Sequence, residues 1–252
     1  MQIERKKAVV VGGASGMGRA SAEAFRARGA DVAILDLAAS AGDEVAAGLG
    51  GTFHAVDVTD EASVEAALQA AVDVMGGLHI AVNTAGGGIA KRTLSKDGPH
   101  PLDDFRRVID LNLVASFNLN RLEAWHMSRN EPEDDERGII IDTASIAAFE
   151  GQIGQVAYAA AKAGIAGMVF TMARDLGSLG IRACAIAPSL FKTGVTSGMP
   201  DEFADVLTKD AAFPKRMGRP EEYARLAVAI VETPMLNGST IRLDAGQRFA
   251  PK

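Results

Sequence analysis

A single cysteine, Cys184, stands in a chain of 252 residues. An internal disulfide is excluded, and a reducing compartment fits that usage. Cys184 lies in the apolar run Ile181–Pro188, where a small thiol serves packing. Histidine is nearly as sparse. His54, His79, His100 and His126 are scattered without metal-ligand spacing, so no metal is expected. Positive charge is in deficit, 26 Lys and Arg against 32 Asp and Glu, leaving a formal net charge of −6. That balance argues against nucleic acid or an anionic membrane as a partner. No apolar run approaches the ~20 residues of a membrane span. The opening MQIERKKAVVVGG carries neither a signal-peptide core nor an Arg/Ser-rich transit segment. The expectation is a soluble, cytoplasmic protein. A hydrolase elbow, Gly-x-Ser-x-Gly, is missing too: Ser15 sits in Gly13-Ala14-Ser15-Gly16, but Met17 occupies the place of the last glycine.

What the chain does have is one large core, with 48% hydrophobic residues and no internal repeat or linker, so residues 1–252 read as a single domain. Ala8–Val11 is a short apolar strand, followed by Gly12-Gly13-Ala14-Ser15-Gly16-Met17-Gly18 and a helical pattern over Arg19–Arg28. Strand, glycine turn and helix form the context of a phosphate-binding turn, because glycine lets the backbone approach a pyrophosphate at the helix N-terminus. The second strand, Asp31–Leu35, ends at Asp36, close to the offset of a ribose-binding carboxylate. Such a group would accept hydrogen bonds from ribose hydroxyls and repel a 2′-phosphate. Leu37-Ala38-Ala39 supplies no cation to compensate, so NAD is expected over NADP.

Further strands are read at Thr52–Thr59, Leu78–Val82, Gly138–Ala144, Ile181–Pro188 and Ser239–Leu243. Helices are read at Glu61–Met75, Asp103–Met127, Tyr158–Leu179 and Pro220–Glu232. Alternation of this kind predicts an α/β fold with a doubly wound parallel sheet. Asp36, Asp57, Asn83, Ser145 and Pro188 all fall at carboxyl ends of strands, where such sheets bind ligands. Asn112 and Asn118 interrupt a helix that disfavours them, Lys91–Leu102 reads as a polar loop, and Asn130–Arg137 as a solvated acidic turn. Ser189–Gly218 is a long irregular stretch whose Phe191, Val195, Met199, Phe203, Val206, Leu207 and Phe213 would line a substrate cleft or seal the core.

Tyr158 and Lys162 sit four apart in an alanine-rich helix, so they share one face. A cation beside a phenol favours the phenolate and draws its pKa down from ~10. Ser145, leaving the strand Gly138–Ala144, could hydrogen-bond an oxygen that Tyr158 also touches. A snorkelling lysine beside a half-buried tyrosine is the ordinary alternative.

Together, Gly12-x-x-x-Gly16-x-Gly18, Asp36, Asp57-Val58, Asn83-x-Ala85-Gly86, Asn112, Ser145, Tyr158-x-x-x-Lys162 and Pro188 with Thr193 resemble the short-chain dehydrogenase/reductases over essentially the whole chain. Thr143–Gln155, Asn130-Glu131-Pro132, Ile186–Phe191 and Asn237–Asp244 are similar to the branch acting on 3-hydroxyacyl-CoA thioesters and hydroxysteroids. The resemblance implies a Rossmann-type sheet and an NAD-dependent exchange between a secondary alcohol and a ketone. It implies Tyr158 as acid/base, Lys162 tuning it and holding the nicotinamide ribose, Ser145 fixing the substrate oxygen, and Asn112 supporting a water. Ser15 and Met17 would contact the cofactor from the glycine turn, and Asp57 with Val58 the adenine. Asn83, Thr84, Ala85 and Gly86 would line the adenosine side, and Pro188, Phe191 and Thr193 the nicotinamide end. A homotetramer is implied as well. Val11, Thr84 and Ser189 depart from the family's usual Thr, Asn and Gly. Rival readings are a dehydrogenase of a steroid or other hydrophobic alcohol, and a nucleotide-binding scaffold without turnover.

Overall fold

The structure, a computed structural model, describes residues 1–193 and 207–249. Val195, Met199, Phe203 and Val206 of the expected substrate loop lie outside those residues.

Seven parallel strands form one sheet. In chain order they are β1 (Lys7–Val11), β2 (Asp31–Asp36), β3 (Thr52–Ala55), β4 (Ile80–Asn83), β7 (Gly138–Thr143), β8 (Ile181–Pro188) and β9 (Thr240–Leu243). Their spatial order is β3-β2-β1-β4-β7-β8-β9. The chain runs outward from β1 to β3, then returns to the other side of β1 to lay down β4. The switch point therefore lies between β1 and β4, where a doubly wound sheet opens a crevice at its carboxyl edge. The expected Rossmann-type α/β fold is what forms.

Helices cover both faces, so the central strands are mostly apolar on both sides and the pleat sends alternate residues to opposite cores. Val10, Ile34, Val82 and Ile141 point to one side with Phe25 of α1 (Gly16–Arg26), Val45 of α2 (Gly42–Leu49) and Tyr223 of α7 (Pro220–Glu232). Val9, Leu35, Ala81 and Ile140 point to the other side with Leu68 of α3 (Glu61–Met75) and Leu119 of α5 (Ala115–Met127). Ala183 and Ala185 of β8 receive Ile165 and Val169 of α6 (Val156–Leu176).

The structure amends the sequence reading at several places. Helix α2 was not anticipated; Gly42 and Gly48 weaken its pattern. The strand at Thr52 ends by Ala55. Lys91–Leu102 contains a small antiparallel hairpin, β5 (Leu94–Ser95) with β6 (Gly98–Pro99). The helix read over Asp103–Met127 is α4 (Leu102–Ile109) and α5 joined by a π-turn at Asp110–Val114. Against the expectation of no membrane-length run, Val156–Leu179 is long and apolar enough to cross a membrane by composition, with a mean hydropathy of 1.4. Its alanines, with Val156, Ile165, Met168, Val169, Phe170 and Met172, give that average. In the fold the helix packs on β8, while Phe170 and, just beyond the helix, Leu179 are exposed.

Candidate active site

The carboxyl ends of the strands surround a cavity of about 550 Å³. On the β1–β4 side it begins at the glycine turn. Gly12 has φ +74, and a Cβ there would lie 2.6 Å from Thr84 Oγ1. A Cβ on Gly18 would meet the carbonyl oxygen of Gly12 at 2.2 Å. Only glycine lets α1 start this close to the turn. The Thr84 hydroxyl donates to the carbonyls of Val11 (2.9 Å) and Gly12 (3.2 Å), so a residue that departs from the family pattern ties β4 to the turn.

Asp36 ends β2 half-buried. Its Oδ2 accepts from the Ala14 N–H at 3.0 Å and its Oδ1 from the Leu37 N–H at 2.8 Å. These bonds aim the carboxylate and leave lone pairs for further donors. Hydrogen bonds from Thr59, side chain and backbone, hold Asp57 below the usual carboxylate range. Gly12, Ser15, Gly16, Met17, Asp36 and Leu37 line this side of the cavity, as do Asp57, Val58, Thr84, Ala85 and Gly86.

On the β7–β8 side stand Ser145, Tyr158, Lys162, Pro188, Phe191 and Thr193. Tyr158 occupies the first turn of α6, half-buried, with its hydroxyl hydrogen-bonded to Ser145. Ser145 also accepts from the Ala147 N–H at 3.1 Å, which fixes its rotamer. A Cβ on Gly88 would fall 2.9 Å from Tyr158 Cδ2, so the glycine run after β4 forms a wall against the ring. Burial pushes the Tyr158 phenol up, and the Ser145 bond opposes it. Lys162 Nζ lies 5.6 Å from the ring centroid and donates to the Thr143 carbonyl at 2.7 Å. The i,i+4 pair is therefore adjacent, as its spacing in the helix predicts, and Ser145 is hydrogen-bonded to the same phenol. Burial draws Lys162 itself down to about 8, and Asp142 pushes it back up.

Three expected residues do not line the cavity. Gly18 lies under the turn. Asn112, in the π-turn and fully buried, brackets Gly87: its Nδ2 donates to the Gly87 carbonyl at 2.7 Å and its Oδ1 accepts from the Gly87 N–H at 3.2 Å. It also donates to the Val108 carbonyl at 2.9 Å. Asn83 is the third. The pleat turns its side chain to the α5 side with Ala81, into a buried polar cluster and away from the adenosine region. Asn83 is therefore corrected from a cavity contact to a support of the strand end.

A sequence model of a family described as enoyl-(acyl carrier protein) reductase matches residues 12–248. The chain is a short-chain dehydrogenase/reductase. It is 49% identical to a Drosophila melanogaster protein named 3-hydroxyacyl-CoA dehydrogenase type-2, over 99% of this chain and 100% of the relative. The Homo sapiens protein of that name is 47% identical, over 97% of this chain and 95% of its own. A more distant relative is the meso-2,3-butanediol dehydrogenase of Serratia marcescens, 32% identical over 98% and 96% of the two chains. The crystal structure of a Mycobacterium avium 3-hydroxyacyl-CoA dehydrogenase type-2 superposes with a TM-score of 0.95 at 44% identity, covering 100% of this chain and 99% of that one. The protein is thus an oxidoreductase.

For this short-chain dehydrogenase/reductase the sequence reading also passed over part of the cavity wall. Leu35, Val56, Gly87, Leu111, Thr143, Ala144 and Leu190 line it as well. Gly87, the middle of three consecutive glycines, was the one of these that a local signal could have marked.

Proposed function

We propose that the protein binds NAD and interconverts a 3-hydroxyacyl-CoA with the 3-oxoacyl-CoA. The observation that carries the reading is the convergence of Ser145, Tyr158 and Lys162 on one wall of a cavity whose opposite wall is the glycine turn and Asp36. The residues suit a dinucleotide. The turn has no side chain at Gly12 or Gly18, so a diphosphate would meet backbone N–H groups at the start of α1. Asp36, already aimed by Ala14 and Leu37, would accept the adenosine ribose hydroxyls. Asp57 and Val58 would border the adenine, and Pro188, Phe191 and Thr193 the nicotinamide.

When bound, NAD supplies the hydride acceptor. The rest belongs to the chain. Tyr158 takes the proton from the substrate hydroxyl in oxidation and returns it in reduction. Ser145 holds the substrate oxygen within reach of that phenol. Lys162 bears the positive charge that favours the phenolate, and Asn112 holds Gly87, the residue after Gly86, against which Lys162 lies. The names of the nearer relatives support the acyl-CoA substrate. Val114, Phe117 and Phe170 are exposed in one copy. They offer apolar area for a homotetramer, which light scattering would weigh.

The deciding measurement is NADH absorbance with acetoacetyl-CoA. Tyr158→Phe should lower kcat roughly 10²–10⁴-fold, the usual worth of a general acid/base. Wild-type turnover in that variant would remove Tyr158 from the chemistry. A higher kcat/KM on a hydroxysteroid than on the thioester would favour the steroid reading.

A further inference from the structure

Behind the catalytic wall, the α5 side of the sheet buries a polar cluster that the dehydrogenase reading leaves unused. Asp142 of β7 faces α5 beside Asn83 of β4, and Asn120 and Glu123 of α5 reach back to meet them. Each of the four is buried, Asp142 and Glu123 completely. Asn83 Nδ2 lies 3.1 Å from each of Asn120 Oδ1, Glu123 Oε2 and Asp142 Oδ1. An amide has two hydrogens, so these acceptors outnumber its donors. Asn120 Nδ2 supplies one more, to Asp142 Oδ2 at 2.7 Å. Glu123 Oε1 and Asn83 Oδ1 have no partner among the described residues. The cluster is short of donors, and one proton held on a carboxyl relieves the shortage. Glu123 is the place for it, since it receives a single donor where Asp142 receives two.

The cluster is joined to the active site. Thr143, the residue after Asp142, donates its hydroxyl to the Asn83 carbonyl at 2.6 Å, and its own carbonyl accepts from Lys162 Nζ at 2.7 Å. The titratable groups around this junction are Lys162 and Tyr158 from α6, Glu123 from α5, Asp142 from β7 and Tyr223 from α7, whose hydroxyl lies 2.7 Å from Thr143 Oγ1. Among them Asp142 is the carboxyl that immediately precedes Thr143, whose carbonyl receives Lys162 Nζ.

We propose that Asp142 is a positioning residue for the dehydrogenase reaction: its carboxylate, held by Asn83 and Asn120 and kept singly charged by a protonated Glu123, maintains Lys162 as a cation beside Tyr158. The directions of the pKa shifts agree. Burial pushes Glu123 up to about 8, with Asp142 adding to the rise, so Glu123 keeps its proton near neutrality. Burial raises Asp142 as well, to about 6, against the pull of Asn120, Asn83 and Lys162, so Asp142 is ionised there. Lys162, lowered by burial, has Asp142 as its opposing charge.

The proposal rests on the roles given above to Tyr158 and Lys162, and its test separates the two. In Asp142→Asn, the shape stays and the charge goes. Lys162 should then lose its proton at lower pH, and the ascending limb of kcat/KM for alcohol oxidation should move to higher pH by about one unit, roughly a tenfold loss near pH ~7.5. Asp73→Asn, which removes an exposed carboxylate remote from the site, controls for net charge and should leave the profile in place. Should Asp142→Asn not fold, Asp142→Asn with Glu123→Gln replaces both carboxyls by amides and should show the same displacement. Independently of turnover, the ε-carbon of Lys162 is titrated by NMR in wild type and variant, and should titrate lower in the variant. A folded variant in which Lys162 titrates as in wild type overturns the proposal. Failure of the underlying reading would show instead as full turnover in Tyr158→Phe, and the Lys162 titration would still decide the assignment to Asp142.

Discussion

Asp36 is a residue whose environment argues for a specific selectivity. Both its oxygens are engaged by backbone N–H groups, one from the glycine turn and one from Leu37, so the carboxylate cannot swing away from an incoming ribose. A 2′-phosphate would be pressed against a fixed negative charge with no Lys or Arg in Leu37-Ala38-Ala39 to offset it. In Asp36→Asn the charge is gone and much of the shape remains. The preference for NAD over NADP, measured as the ratio of kcat/KM values, should narrow by roughly 10–10²-fold, the worth of about 1.5–3 kcal/mol for hydrogen bonds to a charged group. An unchanged ratio would move cofactor discrimination elsewhere. At this scale the sequence was legible where chemistry depends on one residue at a strand end. It was not legible at Asn83. A residue after an apolar strand reads as a ligand contact, but pleat parity sets its direction, and parity depends on which face of β4 the helices take. Asp142 was hidden likewise, inside the apolar run Gly138–Thr143, because nothing local says that a polar partner waits on α5.

Elements inherit their precision from what their ends touch. Helix α1 begins where a Cβ on Gly18 would overlap the carbonyl of Gly12 at 2.2 Å and crowd Thr84 Oγ1 at 2.7 Å. Backbone on one side and a tied hydroxyl on the other leave no flexible atom to yield. Gly18→Ala should therefore push α1 off the turn and cost about 1–3 kcal/mol. Calorimetry should show a lower Tm together with NAD affinity reduced by more than a surface substitution on α1, such as Glu23→Ala, reduces it. Loss of Tm with affinity intact would show that the turn tolerates the shift. The sequence showed this element well, because strand, glycines and helix follow one another without long-range help. The π-turn between α4 and α5 was not visible. Asn112 marked an irregularity in the pattern, but the widened turn depends on Gly87, 25 residues earlier, being bracketed by that same side chain.

At the scale of the whole molecule, buried titratable groups set how stability varies with pH. Glu123 is raised from its ordinary 4.5 to about 8 by burial, against the Asn83 hydrogen bond. Between those values the folded protein keeps a proton that the unfolded chain releases. Stability from this group is therefore complete at low pH and is lost as pH rises through the window, at about 1.4 kcal/mol per pH unit. His79 runs the other way: burial, with Lys6 and Lys7, lowers it from 6.5 to about 4, so its share is lost as pH falls. Glu123→Gln abolishes the first dependence and leaves the second. The amide also brings donors to a cluster short of them. The variant should gain on wild type as pH is raised from about 5.5 to about 8, with Tm differences widening by several degrees, since 1 kcal/mol is worth roughly 2–4 °C in a chain of this size. The contribution of His79 is common to both proteins and cancels in the difference. A Tm difference that stays flat across that range, followed by scanning calorimetry, would mean that Glu123 is ionised in the folded protein and that the single negative charge behind Lys162 is not what the cluster holds.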